Sequence, residues 1–339
     1  MAFKDGRGVA QSDKKAVRWY RMAADQGDAG AQCSLGAMLA NGHGVAQSDE
    51  EAFRWYSKAA AQGHAEAQFG FGSMFKSGRG VAQSDDKAVQ WYRKAADQGH
   101  AMAQCNMGLM FASGRGVAQS DQKAFQWYTL AAGQGHARAQ CSLGSMFAEG
   151  CGVVQSDEEA VEWFRKAANQ RDAQAVYNLG FMFAEGRGVA HSDVEAAKWY
   201  SKAADQGHAQ AQCILGLMFQ NGRGVAQSDQ KAIQWYTIAA DQELAQAQCC
   251  LGLMFAEGYG VVQSDEEAIQ WYRKAADQGY AGGQCILAHM FEQGRGVAQS
   301  DEEAVKWYRK AADQGDARAQ CRLAQVLSAG RGAARAEAV

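Results

Sequence analysis

All nine tryptophans of this chain keep one spacing: Trp19, Trp55, Trp91, Trp127, Trp163, Trp199, Trp235, Trp271 and Trp307 are each 36 residues apart. Cysteine follows the same period at Cys33, Cys105, Cys141, Cys213, Cys249, Cys285 and Cys321, with Phe69 and Tyr177 filling the two gaps. The string GRGVAQSD occurs unchanged five times, beginning at Gly6, Gly78, Gly114, Gly222 and Gly294. A period this strict means one supersecondary unit copied along the chain, each copy touching its neighbours. It predicts a single repeat array over 1–339, without a composition shift, a linker or a second domain.

The copy from Asp28 to Gly63 shows the unit: DAGAQCSLGAMLANGHGVAQSDEEAFRWYSKAAAQG. Ala31, Leu35, Met38 and Leu39 recur at helical spacing and mark one apolar face. Asn41-Gly42-His43-Gly44 breaks that helix. Ser48 opens a second helix, and Ser48 with Glu51 has the spacing of a capping box, in which side chain and backbone satisfy each other's donors. Four other copies keep it, at Ser156/Glu159, Ser192/Glu195, Ser264/Glu267 and Ser300/Glu303. Ala52, Phe53, Trp55, Tyr56, Ala59 and Ala60 form the apolar face of the second helix, and Gln62-Gly63 ends it. The Trp-Tyr pairs read as core, so Trp163→Ala is expected to cost about 3–5 kcal/mol. Two helices of about a dozen residues cannot bury such faces alone, so the copies must stack. No segment alternates with period two, so no sheet is expected.

These residues resemble a known family. LG-x-M-[LF]-x-x-G-x-G-V followed by A-x-x-WY-x-KAA-x-QG is similar to the Sel-one-like repeat (SLR), a relative of the tetratricopeptide repeat, over essentially the whole chain. The resemblance implies an all-α fold, a right-handed α/α superhelix (solenoid) of 36-residue helix-turn-helix repeats. It also implies a non-enzymatic role, because family members mostly act as adaptors or scaffolds in protein complexes. Some are bacterial virulence or signalling factors, and some assist endoplasmic-reticulum degradation complexes. The family commonly has proline after the G-x-G-V valine; this chain has Ala46 and its equivalents there, and no proline at all. A cysteine-rich branch of the family staples each helix pair with two cysteines eight residues apart. Aligned on Leu35-Gly36, those positions are Ala24 and Gln32, which are not cysteine in any copy. Neither the staple nor the penicillin-related activity of that branch is therefore implied here.

The repeat frame divides the chain into a partial unit at 1–27, complete helix pairs over 28–315 and an unpaired last helix at 316–339. Met1 to Asp5 resembles the tail of a first helix such as Met74 to Ser77. Trp19 and Tyr20 near one end, and Leu323 and Leu327 near the other, have no polar capping face. That pattern reads as a piece of a longer array or a chain that associates end to end.

Several functions are disfavoured. Lys plus Arg is 34 against 37 Asp plus Glu, a net charge of −3, which does not hold nucleic acid by bulk charge. No run reaches the roughly 18 apolar residues of a membrane span, and MAFKDGRGVA has no signal-peptide core. Stacked helices lie about 8–10 Å apart, beyond the Cα limit of about 7 Å for a disulfide. The cysteines of one column therefore do not pair, all nine are expected to be free, and the location reads as cytoplasmic. No C-x-x-C points to zinc. His64, His100, His136 and His208 share a column with Asp28, Asp172, Leu244, Tyr280 and Asp316. A position that accepts leucine and aspartate is a helix entry rather than a ligand set. The G-x-G-V loop lacks the Lys-Ser/Thr of phosphate-binding loops. Its arginines (Arg7, Arg79, Arg115, Arg187, Arg223 and Arg295) lie beside acidic helix starts such as Asp49, Glu50 and Glu51, which predicts local neutralisation. No catalytic residue, cofactor or metal is assigned.

The copies can be compared with each other. On the first helix, the columns headed by Gly30, Cys33, Ala37, Ala40 and Asn41 lie roughly opposite the recurring core by helical phase, and four of the five vary freely. By analogy with tetratricopeptide repeats, this face lines a concave groove. Its candidate partner-binding residues are Leu109, Phe181, Leu217, Leu253 and His289, with Glu149, Glu185 and Glu257 beside them and Cys213 and Tyr177 one turn earlier. The expected function is a protein- or peptide-binding scaffold whose partner has apolar anchors and Lys or Arg. Behind it stand a regulatory module of a larger enzyme-containing or signalling protein, and a hydrolase of the cysteine-rich type, which the missing cysteine pairs disfavour.

Overall fold

The computed structural model describes residues 12–329, so the motif copy at Gly6, Arg7 and the helix tail read at Met1–Asp5 lie outside the described residues. Among the described residues there are eighteen α-helices and no strand. The chain falls into two compact units, Met1–Asp172 and Ala173–Val339. The first holds α1 (Asp13–Asp25), α2 (Ala29–Asn41), α3 (Asp49–Ala61), α4 (Ala65–Ser77), α5 (Asp85–Asp97), α6 (Ala101–Ser113), α7 (Asp121–Gly133), α8 (Ala137–Glu149) and α9 (Asp157–Asn169). The second holds α10 (Ala173–Glu185), α11 (Asp193–Asp205), α12 (Ala209–Asn221), α13 (Asp229–Asp241), α14 (Ala245–Glu257), α15 (Asp265–Asp277), α16 (Ala281–Gln293), α17 (Asp301–Asp313) and α18 (Ala317–Ser328). Even-numbered helices open a repeat and odd-numbered ones close it. Within each unit, a first helix packs against its own second helix and against the second helix of the preceding repeat.

Serine starts every second helix, but it does only half of what a capping box does. Ser48 Oγ accepts the Glu51 N–H at 3.3 Å, and Ser84 Oγ accepts the Lys87 N–H in the same way. The serine N–H, which the glutamate should have capped, donates instead to the carbonyl of the preceding helix, Ser48 to Leu39 at 3.0 Å and Ser84 to Phe75 at 2.9 Å. A carbonyl near the end of the first helix has no partner within its own helix, and the short turn delivers the serine amide to it. The position three residues on is thereby released, which is why lysine replaces glutamate there without loss of the cap.

The histidine column is a helix entry, as its composition implied. His64, His100, His136 and His208 each accept the N–H three residues on through Nδ1, at 3.2–3.3 Å; Asp28 Oδ1 does the same for Ala31. Burial holds the His136 and His208 imidazoles below their ordinary value, helped at His136 by Arg138. Protonation would fill the Nδ1 lone pair, so the charged ring favours the unfolded chain. The stability is fully present above the unfolded value of about 6.5 and drains away as pH falls from there toward the lower folded values. The melting temperature of the native chain should therefore fall more steeply between about pH 7 and pH 5 than that of a His136→Asn, His208→Asn variant, whose caps do not titrate. Equal slopes would refute the cap role.

Tyrosine and tryptophan, adjacent in every copy but one, have different environments. Tyr92, Tyr236 and Tyr308 are completely buried, and Phe164 substitutes at 2% exposure. The tyrosine ring lies on the glycine of the LG pair: a Cβ on Gly72 would sit 2.9 Å from Tyr92, and one on Gly216 2.7 Å from Tyr236. The tryptophans lie at the edge of the core rather than inside it, as the expectation above had them: Trp55, Trp91, Trp127, Trp163, Trp271 and Trp307 pack against its buried clusters. From Trp55 to Trp307 they are half-buried, and Trp19 is 57% exposed. Consecutive helix residues point about 100° apart, so only one of the two rings can enter the helix pair. Six of the indoles carry a lysine ammonium 3.7–4.2 Å from the ring centroid, for example Lys94 over Trp91 and Lys274 over Trp271, a cation–π contact on a partly wet ring.

Three devices join successive repeats. The first is a glutamine ladder. Gln104, 5% exposed, donates to the Ala96 carbonyl and accepts from Gln134 at 2.7 Å. Gln248 does the same between Ala240 and Gln278 in the second unit. The position of Gln32 and its carbonyl partner Ala24, eight residues earlier, are the two sites of the cysteine staple, so a hydrogen bond here occupies the place of a covalent link. Val176 interrupts the ladder and is buried without a polar group. The second device is the paired glycine turn, in which Gly78 and Gly80 both adopt positive φ and a Cβ on Gly80 would overlap the Asp49 carbonyl. The third is the arginine between them. Arg79 holds Asp49 at 2.6 Å, Arg223 holds Asp193 at 2.8 Å and Arg295 holds Asp265 at 2.7 Å. The expected neutralisation is there, but it reaches back to the preceding repeat's second helix rather than forward to the next one. The pairs are partly exposed, so water screens them and each contributes little to stability, serving mainly to set register.

Candidate binding surface

A first helix wedged between two second helices has little free circumference. In α12, positions 211–213, 215, 216 and 218 are buried. The exposed residues Gln210, Leu217 and Asn221, with the half-buried Ile214 between them, form one strip, spaced i, i+4, i+7 and i+11. The corresponding strip of α14 is Gln246, Cys250, Leu253 and Glu257, and that of α10 is Gln174, Asn178, Phe181 and Glu185. The sequence columns headed by Gly30, Ala37 and Asn41 belong to this strip. The column of Ser34, which becomes Ile214, Cys250 and Ile286, also belongs to it and was missed. Its residues are only half-exposed, and their mixed polarity gave no periodic signal.

Phe181, Leu217 and Leu253 are 39%, 42% and 41% exposed, at one position in the three successive first helices α10, α12 and α14. The next residue in that column, His289 on α16, has a side chain 42% exposed, with Nδ1 3.7 Å from Glu292. Glu292 is buried and accepts the Tyr308 hydroxyl at 2.8 Å. Glu185 and Glu257 are exposed at the ends of α10 and α14. Each feels the arginine of the following repeat, Arg223 and Arg295 respectively, although those arginines are already held by Asp193 and Asp265. In the first unit, Leu109 on α6 is half-buried and Glu149 on α8 is exposed, with serine or alanine at the other positions of the column.

Two predicted site residues need correction or refinement. Cys213 is 3% exposed and lies in the core with Tyr236 and Leu251. Its column is buried also at Cys33, Cys105, Cys141 and Cys285, because this face of the first helix meets the neighbouring repeat. The column headed by Ala40 is likewise buried at Ala40, Ala256 and Glu292. Tyr177 is half-buried and stacks face to face on His208, with centroids 4.6 Å apart and planes at 13°.

Other surfaces offer less. A depression of about 600 Å³ in the first unit is lined by Arg21, Glu51, Phe53, Arg54, Trp55, Ser57 and Lys58 and contains neither histidine nor cysteine. Among the described residues no group of three or more His, Cys, Asp or Glu is placed to hold a metal ion. No described helix is long and apolar enough to cross a membrane. All nine cysteines are free thiols.

Nine successive segments match the family model of the Sel1 repeat, at residues 1–28, 29–64, 65–100, 101–136, 137–172, 173–208, 209–244, 245–280 and 281–316. A protective antigen of uropathogenic Escherichia coli with an SLR fold is 36% identical over 92% of this chain and 67% of its own, with a TM-score of 0.77. A Sel1 repeat protein from Oxalobacter formigenes is 32% identical over 91% of this chain and 89% of its own, with a TM-score of 0.67. No curated protein matches the chain.

Proposed function

From its membership of the Sel1-repeat family, we propose that this chain is a non-enzymatic scaffold that docks a protein or peptide segment along the strip of its second unit. The family fold is generally a protein-interaction scaffold. The observation that carries the proposal is the exposed Phe181, Leu217 and Leu253 at one register of three successive first helices. Apolar side chains repeated at the same place on successive units suit a segment with regularly spaced apolar anchors. Glu185 and Glu257 beside them favour Lys or Arg in that segment over acidic residues. A reducing compartment such as the cytoplasm fits nine free thiols.

The test compares the intact chain with its Leu217→Asp, Leu253→Asp variant in quantitative affinity capture. Both leucines point away from the helix pairs, so the variant should keep its melting temperature. Loss of two anchors should weaken capture of the segment more than tenfold. Undiminished capture by a normally folded variant would move the binding site off this strip.

A further inference from the structure

Beyond Leu253 the strip of the second unit changes character. A cleft of about 200 Å³ is lined by Cys285, Ile286 and His289 on α16, Tyr308 on α17, and Arg318 and Arg322 on α18. Ile286 and His289 continue the columns of Ile214 and Leu217, and Arg318 and Arg322 continue those of Gln246 and Cys250. In the second unit no other member of the two arginine columns is Lys, Arg, Asp or Glu. The floor of the cleft is apolar: Cys285 and the Tyr308 ring are buried, and the Tyr308 hydroxyl donates to Glu292 at 2.8 Å. The rim is basic. Arg318, its side chain 70% exposed, has Asp316 at 3.4 Å, and Arg322 meets the neutral amide of Gln325 at 3.5 Å. Both distances are at the outer limit of a hydrogen bond, unlike the 2.6–2.8 Å grip of Arg79, Arg223 and Arg295 on their aspartates. The two nearby carboxylates are engaged elsewhere: Asp316 accepts the Ala319 N–H at 2.9 Å, and Glu292 accepts the Tyr308 hydroxyl.

We infer that this cleft takes the carboxylate of an Asp or Glu side chain carried by the docked segment, and so fixes the direction in which that segment lies along the strip; the inference rests on the docking function proposed above. Arg318 and Arg322 stand one helical turn apart, at i and i+4, and are neighbours on the surface of α18. Guanidinium groups so placed offer forked N–H donors that match a carboxylate. The apolar floor suits the methylene groups of an acidic side chain. A volume of about 200 Å³ lies below the range of about 300–1,000 Å³ typical of small-molecule sites and suits a single side chain. His289, its side chain 42% exposed on the rim, adds a third polar group. Glu185 on α10 and Glu257 on α14 favour Lys or Arg earlier along the strip, so the charges of the segment must follow an order, basic beside the apolar anchors and acidic at the α18 end. A segment laid in reverse would bring its acid to Glu185 and its base to Arg318 and Arg322, and like charges would repel at both ends.

The test selects binders of the full chain from a display library of random peptides. Enriched peptides should carry Asp or Glu on a constant side of their apolar residues. A synthetic peptide of that consensus should bind about tenfold more tightly than its Asn or Gln counterpart. An Arg318→Gln, Arg322→Gln chain should bind the two peptides equally while still enriching the apolar residues. It should keep its melting temperature, because both side chains are exposed. An Arg318→Glu, Arg322→Glu chain should prefer Lys where the native chain prefers the acid. Enrichment without an acidic position, or an acid preference that the glutamine variant retains, would overturn the inference. The Leu217→Asp, Leu253→Asp chain reads the docking strip separately. Apolar enrichment that survives the leucine changes counts against the strip, whereas the acid preference is judged from the arginine variants, so the two failures are distinct.

Discussion

Tyr92→Ala should lower the stability of the first unit by about 3–5 kcal/mol, and Trp91→Ala by only about 1–2 kcal/mol. The two residues are adjacent, aromatic and present together in nearly every repeat, so sequence does not separate them. Tyr92 is fully buried; its ring fills the groove left by Gly72, and its hydroxyl donates to Ser73 Oγ at 3.1 Å. Removing it opens a cavity between α4 and α5 that two packed backbones cannot collapse into. Trp91 keeps part of its ring in water, with Phe71 edge-on at 5.0 Å and Lys94 above it. The large cost expected for Trp163→Ala therefore passes to the adjacent Phe164. Urea melts followed by far-ultraviolet circular dichroism would measure both changes. A tryptophan change as costly as the tyrosine change would show that the indole column is core after all.

Gly224→Ala is the second large effect. It should cost about 2–5 kcal/mol, against about 1 kcal/mol for Gly222→Ala in the same loop. Both glycines have left-handed backbone, at φ +66° and +67°, so alanine is strained at either. They differ in their surroundings. A Cβ on Gly222 meets the Gln227 Cβ at 3.3 Å and the Gln227 backbone only at ordinary contact distance, 3.6 Å and beyond, whereas one on Gly224 would overlap the Asp193 carbonyl and lie 2.8 Å from the Val194 nitrogen. Backbone cannot swing aside as a side chain can, so the loop must lift off the start of α11. That movement also stretches the Arg223–Asp193 pair. Hydrogen exchange should then show faster opening at the Asp193 end of α11 for Gly224→Ala and little change for Gly222→Ala. Equal protection in the two variants would mean that the loop does not bear on the preceding repeat.

The variation among copies pointed to much of the candidate strip. Leu217, Leu253 and Phe181 emerged because their column departs from small residues while the core columns hold still. Cys213 was misplaced because helical phase alone gives a first helix one buried face. In the stacked array it has two, one toward its own second helix and one toward the preceding repeat. The strip position of Cys250 was invisible for the complementary reason: a half-exposed column tolerates serine, asparagine, isoleucine and cysteine, and leaves no pattern.

From its 36-residue period, its capping serines, its cap glycines and its two apolar faces per copy, this sequence by itself determined an all-helical stack of repeated pairs. Those are local properties, set by residues within a turn or two of each other, and repetition made them legible nine times over. Which of two adjacent aromatics enters the core was decided by tertiary structure alone, as was the reach of each arginine back to the previous repeat. Each of these depends on where a neighbouring repeat puts its backbone, and the angle between stacked helices is a result of packing that no single copy encodes.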